Sequence, residues 1–130
     1  MNLTLPEELN NVTSDICATS DHILLVICCS STGQGEFPEN VAQFFAEISG
    51  KNLSHVDFIV LCLGDSNYTS FMEAPHRLVK RLVENGAHLV APLYEADDSN
   101  PDSFGDVTDQ FVESSPKFVE DWVRVLKLYF

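Results

Sequence analysis

Three uncharged apolar runs punctuate the chain: Ile23–Cys29, Phe58–Leu63 and, more weakly, His88–Leu93. The first two are of strand length and contain β-branched residues, which is how a strand buried on both faces reads. Pro92 shortens the third, because proline cannot donate to a sheet ladder. Apolar residues at helical spacing follow each run. Val41, Phe44, Phe45 and Ile48 predict a helix over about 39–49, stopped by Gly50. Leu78, Val79, Leu82 and Val83 predict a second over about 74–84, with Arg77, Lys80, Arg81 and Glu84 on its wet side and Asn85-Gly86 at its end. Phe118, Val119, Trp122, Val123, Leu126 and Tyr129 predict a third, opened by Ser115 as cap and Pro116 at the first helical position. The acidic stretch from Glu95 to Gln110, rich in Asp, Ser, Pro and Gly, reads as a long exposed loop. Ahead of Ile23 the pattern is weak. Met1–Leu5 alternates like a short strand, Pro6–Leu9 could open a helical turn, and Asn10–Asp21 is mostly turn residues. The repeated unit of strand, polar loop and helix predicts an α/β fold with parallel strands near Ile23–Cys29, Phe58–Leu63 and Leu89–Leu93.

Composition narrows the function. The 130 residues suffice for one domain with a real core. Twenty acidic against seven basic residues give a formal charge of -13, which argues against nucleic acid or an anionic membrane as partner. No Lys or Arg precedes Lys51, and none occurs between Glu95 and Glu113. That asymmetry fits either a solvated surface or a face turned toward a basic partner. Cys17, Cys28, Cys29 and Cys62 lack metal-ligand spacing and read as buried free thiols in a reducing compartment. With no basic, apolar leader, the expected location is the cytoplasm. The tripeptides at Asn2, Asn11, Asn52 and Asn67 that match a glycosylation acceptor then carry little meaning.

Catalytic constellations are thin. His22, His55, His76 and His88 stand singly, no serine has a GxSxG context, and no metal site or catalytic residue is expected. The chemistry lies in two polar loops. Ser30-Ser31-Thr32-Gly33-Gln34-Gly35 follows the first strand, and Gly64-Asp65-Ser66-Asn67-Tyr68 follows the second. On adjacent parallel strands such loops border a crevice at the carboxyl edge of the sheet, where α/β folds take their ligands. Glycine permits close backbone approach, and an aromatic beside many amide donors suits a flat heteroaromatic ring. Two ordinary turns would satisfy the same pattern, and an Asp in such a loop commonly bonds its neighbouring amides.

Ser30-Ser31-Thr32-Gly33-Gln34-Gly35-Glu36-Phe37-Pro38-Glu39-Asn40 together with Leu61-Cys62-Leu63-Gly64-Asp65-Ser66-Asn67-Tyr68-Thr69-Ser70-Phe71 resembles the FMN-binding, flavodoxin-like domain of the diflavin reductases. The likeness continues through Lys80–Ala87, Ala96-Asp97-Asp98 and the Trp122 helix, so that a partial domain within 1–130 is recognisable from 23 to 130. The resemblance implies a flavodoxin-like three-layer sandwich with a parallel sheet. It implies that Ser31, Thr32, Gly33, Gln34 and Gly35 lie on one face of an isoalloxazine ring, that Leu63, Gly64 and Asp65 begin the second flavin loop, and that Tyr68 stacks on the ring. Asn67 and Phe71 match positions that shape this loop, and Asp97 matches an acid near the ring's far edge. Asp97 and Asp98 also match an acidic face that meets electron partners. Thr32 stands where several members place an aromatic and others a threonine. Met72 stands where the family commonly has asparagine.

In that family the chain opens with a strand and a phosphate-holding loop that find no match here. Ile23–Cys29 already corresponds to the family's third strand, so the first strand and phosphate loop are expected to be lacking and FMN to be held weakly. The implied function is an FMN-binding electron-transfer domain of an NADPH-dependent diflavin oxidoreductase, or a truncated form of it. It would work with an FAD/NADPH-binding reductase module and a redox acceptor protein, and would not be a complete enzyme alone. A flavin-free acidic protein-interaction domain of the same fold is the alternative.

Overall fold

The computed structural model describes Ile16 and residues 21–31, 35–68 and 70–129. The expected strand and turn within Met1–Leu9 lie outside the described residues, as does most of Asn10–Asp21. Seven elements follow one another: β1 (Ile23–Ser30), α1 (Glu39–Glu47), β2 (Val56–Gly64), α2 (Glu73–Glu84), β3 (His88–Leu89), β4 (Tyr94–Asp97) and α3 (Pro101–Tyr129). β1 and β2 pair in parallel from Ile23↔Val56 to Ser30↔Leu63. β3 and β4 both run parallel to β2 on its other side, β3 opposite Asp57 and Phe58, β4 opposite Leu61 to Gly64. They form one interrupted edge strand.

The expected third strand, Leu89–Leu93, is thereby corrected. The Val90 N–H still donates to the Phe58 carbonyl at 3.1 Å. Pairing then lapses across the segment that holds Pro92, which has no N–H to offer, and resumes at Tyr94.

Period-two alternation along β2 divides the core. Val56, Phe58, Val60 and Cys62 join one buried cluster with Phe44 and Ile48 from the end of α1 and Leu78 and Leu82 of α2. Ile59 and Leu61 face the other side and join Ala96, Phe104, Val107 and Phe111. Helices on both faces of a parallel sheet give the three layers. Phe58, at 0% exposure, is among the largest fully buried side chains, and burial of such a ring stabilises the fold by about 1.5–3 kcal/mol. β1 departs from the doubly buried strand expected of it. Ile23, Leu25, Ile27 and Cys29 pack toward α1 and α2, but Val26 is 51% exposed and Cys28 is exposed. α3 packs over β2 and β4 and leaves Val26 and Cys28 of β1 exposed.

Helix ends follow local chemistry. Gly50 has φ +73° just beyond α1. α2 closes through Gly86 at φ +101°, with Ala87 N–H to Leu82 O at 2.9 Å and Gly86 N–H to Val83 O at 3.0 Å, the paired bonds of a Schellman motif. α3 overturns two expectations. Residues 95–110 are not a loop but β4, a turn and the first part of α3, and the helix does not start at Ser115-Pro116. Its cap is Asn100, whose Oδ1 accepts from Ser103 N–H at 3.3 Å, with Pro101 next and Asp102 in the first turn. Cap, proline and acid form the same signature that Ser115-Pro116 carries in part. Pro116 sits inside the helix on its wet side. It would orphan the carbonyl of Val112, which is 67% exposed and open to water.

Candidate functional site

β1 and β2 end side by side, and the loops that leave them border a cleft of about 470 Å³. That volume lies within the range of small-molecule sites. Of the residues singled out in the sequence, Ser31, Leu63, Gly64, Asp65, Tyr68 and Phe71 line it. Gly35, Asn67 and Asp97 do not, and Thr32, Gly33 and Gln34 lie outside the described residues. Ser30, Ser70, Met72, Asp98 and Phe104 complete the lining. Phe104 was hidden from sequence reasoning because its segment read as loop; the Asn100-Pro101 cap was the signal that could have found it.

Each wall is built by local bonds. The Ser31 N–H extends the β1–β2 ladder to Leu63 O at 3.3 Å, and its hydroxyl accepts the Ala74 N–H at 3.1 Å. Ser31 thus caps α2 from another part of the chain. The helix needs this, because its own cap position is Met72, which has no side-chain oxygen and adopts φ +60°. A left-handed methionine costs energy that asparagine largely avoids; Met72 is fully buried in compensation. Gly35, with φ +83°, closes the first loop against the start of α2. A Cβ there would lie 2.6 Å from Glu73 Oε2 and 2.8 Å from Ser70 Cβ. At Gly64 a Cβ would meet Met72 Sδ at 3.1 Å and the Phe71 ring at 3.3 Å, so the backbone of the cleft floor passes close under both side chains.

In the second loop Asp65 Oδ1 accepts the Asn67 N–H at 2.9 Å, and Asp65 O accepts the Tyr68 N–H at 3.1 Å. The turn so formed raises Tyr68 over the cleft with 57% of its surface exposed. Phe71, 38% exposed, stands beside it. Asp97 acts as a clasp. Its Oδ1 accepts the Ser66 N–H at 2.9 Å, the Ser99 N–H at 3.0 Å and the Ser99 hydroxyl at 2.8 Å. It joins the loop after β2 to the turn after β4, and the Asp98 N–H donates to Gly64 O at 2.7 Å across the same junction. Bonds from the Ser66 side chain and amide, then from Ser99, hold the Asp97 carboxyl down to a pKa of about 2.

Just beneath the cleft, Cys29 and Cys62 face each other in register on β1 and β2. Burial pushes their thiols up to about 11 and about 12, so both stay protonated and inert at neutral pH. His76 is exposed and pairs with Glu95 across α2 and β4. Among the described residues no group of three or more His, Cys, Asp or Glu could hold a metal ion, and no helix is long and apolar enough to cross a membrane.

A family model described as flavodoxin matches residues 7–109. The chain belongs to the flavodoxin family. It is 35% identical over 126 residues to NADPH-dependent diflavin oxidoreductase 1 of Yarrowia lipolytica, covering 93% of this chain and 18% of that protein. It is 39% identical over 80 residues to methionine synthase reductase of Caenorhabditis elegans, covering 58% and 12% respectively. Oxidised flavodoxin 2 from Bacillus cereus superposes with a TM-score of 0.58 at 22% identity, covering 81% of this chain and 71% of that one, and shows the fold. The chain spans less than a fifth of the length of these curated relatives.

Proposed function

We propose that this flavodoxin-family chain is the FMN-binding electron-transfer domain of an NADPH-dependent diflavin oxidoreductase, with the flavin ring in the cleft between the ends of β1 and β2. The observation that carries the reading is the pairing of exposed Tyr68 and Phe71 with two backbone-rich loops around one cleft of suitable volume. The residues fit a flavin ring. Tyr68 and Phe71 offer aromatic contact, and Gly64 keeps the floor free of a side chain. The family pattern would assign Thr32, Gly33, Gln34 and Gly35 to the ring's other face, Asn67 to the shape of the second loop and Asp97 to the ring's far edge, although Gly35, Asn67 and Asp97 do not line the cleft. In this structure Asp97 serves by clasping the walls together.

A bound flavin would supply the redox chemistry, and the chain's residues bind it, orient it and limit water. No side chain needs to act as acid, base or nucleophile. Electrons would come from an FAD/NADPH-binding reductase module and leave to a redox acceptor protein. Asp102, Asp106, Asp109 and Glu113 form an exposed acidic ridge along α3, suited to a basic partner face. The same ridge is what favours the second reading, a flavin-free interaction domain.

Titration of the purified chain with FMN, followed by flavin fluorescence, separates the two. Saturable binding, weakened about two- to tenfold by Tyr68→Ala from lost stacking alone, is the expected result. Absence of FMN binding would leave only the interaction domain.

A further inference from the structure

Asn85-Gly86 is the only Asn-Gly pair in the sequence, and it stands where α2 ends. Asparagine is a thermolabile residue. When glycine follows it, no side chain hinders attack of the glycine backbone nitrogen on the asparagine amide carbon. The fold pins this pair. The Asn85 carbonyl accepts the Leu53 N–H at 2.8 Å, and the Gly86 N–H donates to Val83 O at 3.0 Å, so the peptide plane between them is held at both ends. The Asn85 side-chain amide donates to Ile48 O. A Cβ at Gly86 would lie 3.2 Å from Ser54 N, so the Gly86 backbone is packed against that residue. At ψ 6° the Gly86 nitrogen eclipses the backbone nitrogen of Asn85, whereas ring closure needs it over the side chain.

We propose that Asn85 is a site of spontaneous deamidation that the fold holds shut, so that opening of the α2 C-terminus converts it irreversibly. In the open chain the Gly86 nitrogen forms a bond to Asn85 Cγ. The side-chain nitrogen takes up the Gly86 proton and leaves as ammonia. Water then opens the resulting five-membered imide at either carbonyl, giving aspartate or isoaspartate. Neither product has the donor that Asn85 offers to Ile48 O. Both bring negative charge to a helix C-terminus, where the dipole disfavours it, beside Glu84. Isoaspartate also lengthens the main chain, which breaks the bonds from Gly86 and Ala87 to the last turn of α2. The modified chain therefore opens more readily than the unmodified one.

The test incubates the full 130-residue chain at mildly alkaline pH, folded and in urea, and follows each asparagine by peptide mass spectrometry. In urea Asn85 should convert well ahead of Asn52 and Asn67, which precede Leu53 and Tyr68. Folding should slow conversion of Asn85 by about tenfold or more, since opening breaks at least two hydrogen bonds. Asn85→Asp, which reproduces one product, should lower the melting temperature or prevent folding. Asn52→Asp adds the same charge but keeps an acceptor for the Ser54 N–H, and should leave the melting temperature nearly unmoved. Three results would each overturn the proposal: conversion of Asn85 in urea no faster than of Asn52, equal rates at Asn85 folded and unfolded, or an Asn85→Asp chain as stable as the wild type.

Discussion

Asp97 shows how a residue's role depends on partners that a linear reading does not place. The sequence suggested an acid beside a ligand. The structure makes it the acceptor of three bonds from Ser66 and Ser99, on two loops that only the fold brings together. Asp65 was more legible, because its Asx turn joins neighbours in sequence. The clasp has a pH signature. Its carboxyl is lowered from 3.8 to about 2 in the folded protein. A depressed folded-state pKa gives stability that is complete above the unfolded value and lost as pH falls through the folded one. The contribution of Asp97 should therefore fade between about pH 4 and pH 2. Thermal melts over that range should show a steeper acid loss in the wild type than in Asp97→Asn, in which the linkage is gone. Identical acid profiles for the two would mean that the clasp does not hold in solution.

At the scale of elements, the apolar runs located β1, β2, α1 and α2 to within a few residues, since period-two and helical spacing act locally. α3 was misplaced because two cap-and-proline signatures compete along its length. Asn100-Pro101-Asp102 opens the helix, whereas Ser115-Pro116 lies inside it, where the Ser115 hydroxyl donates back to Phe111 O at 2.6 Å. The apolar positions Phe104, Val107 and Phe111, diluted by Asp and Ser, sit at helical spacing in the second core cluster. β4 escaped notice for a similar reason: in Tyr-Glu-Ala-Asp only Ala96 is fully buried. The two caps can be told apart by mutation. Asn100→Ala should cost about 1 kcal/mol, the usual value of an N-cap, and lower the melting temperature by roughly 4 °C. Ser115→Ala should cost less than about 0.5 kcal/mol, because mid-helix back-bonding contributes little or nothing. The reverse order in calorimetry would put the start of the helix at Ser115 after all.

For the whole molecule, the decisive feature is the outer side of β1. Among the described residues β1 has a hydrogen-bonded neighbour on one side only, β2. Its eight residues, Ile23–Ser30, carry no charge, and Val26 and Cys28 are exposed on the face that α3 leaves open. An uncharged apolar strand edge is a template for pairing with another copy. The formal charge of -13 opposes this by mutual repulsion, which salt screens. The two effects have opposite salt dependence, so their balance can be read directly. Sedimentation velocity at micromolar concentration should show mass increasing from low to high sodium chloride. Val26→Lys should hold the protein monomeric at both salts, since a lysine on an edge strand blocks strand addition. Because Val26 is already half exposed, that change should leave the melting temperature nearly unmoved, and a melt run alongside separates blocked association from unfolding. A wild-type chain that stays a compact monomer at every salt would show that the outer side of β1 is covered in solution.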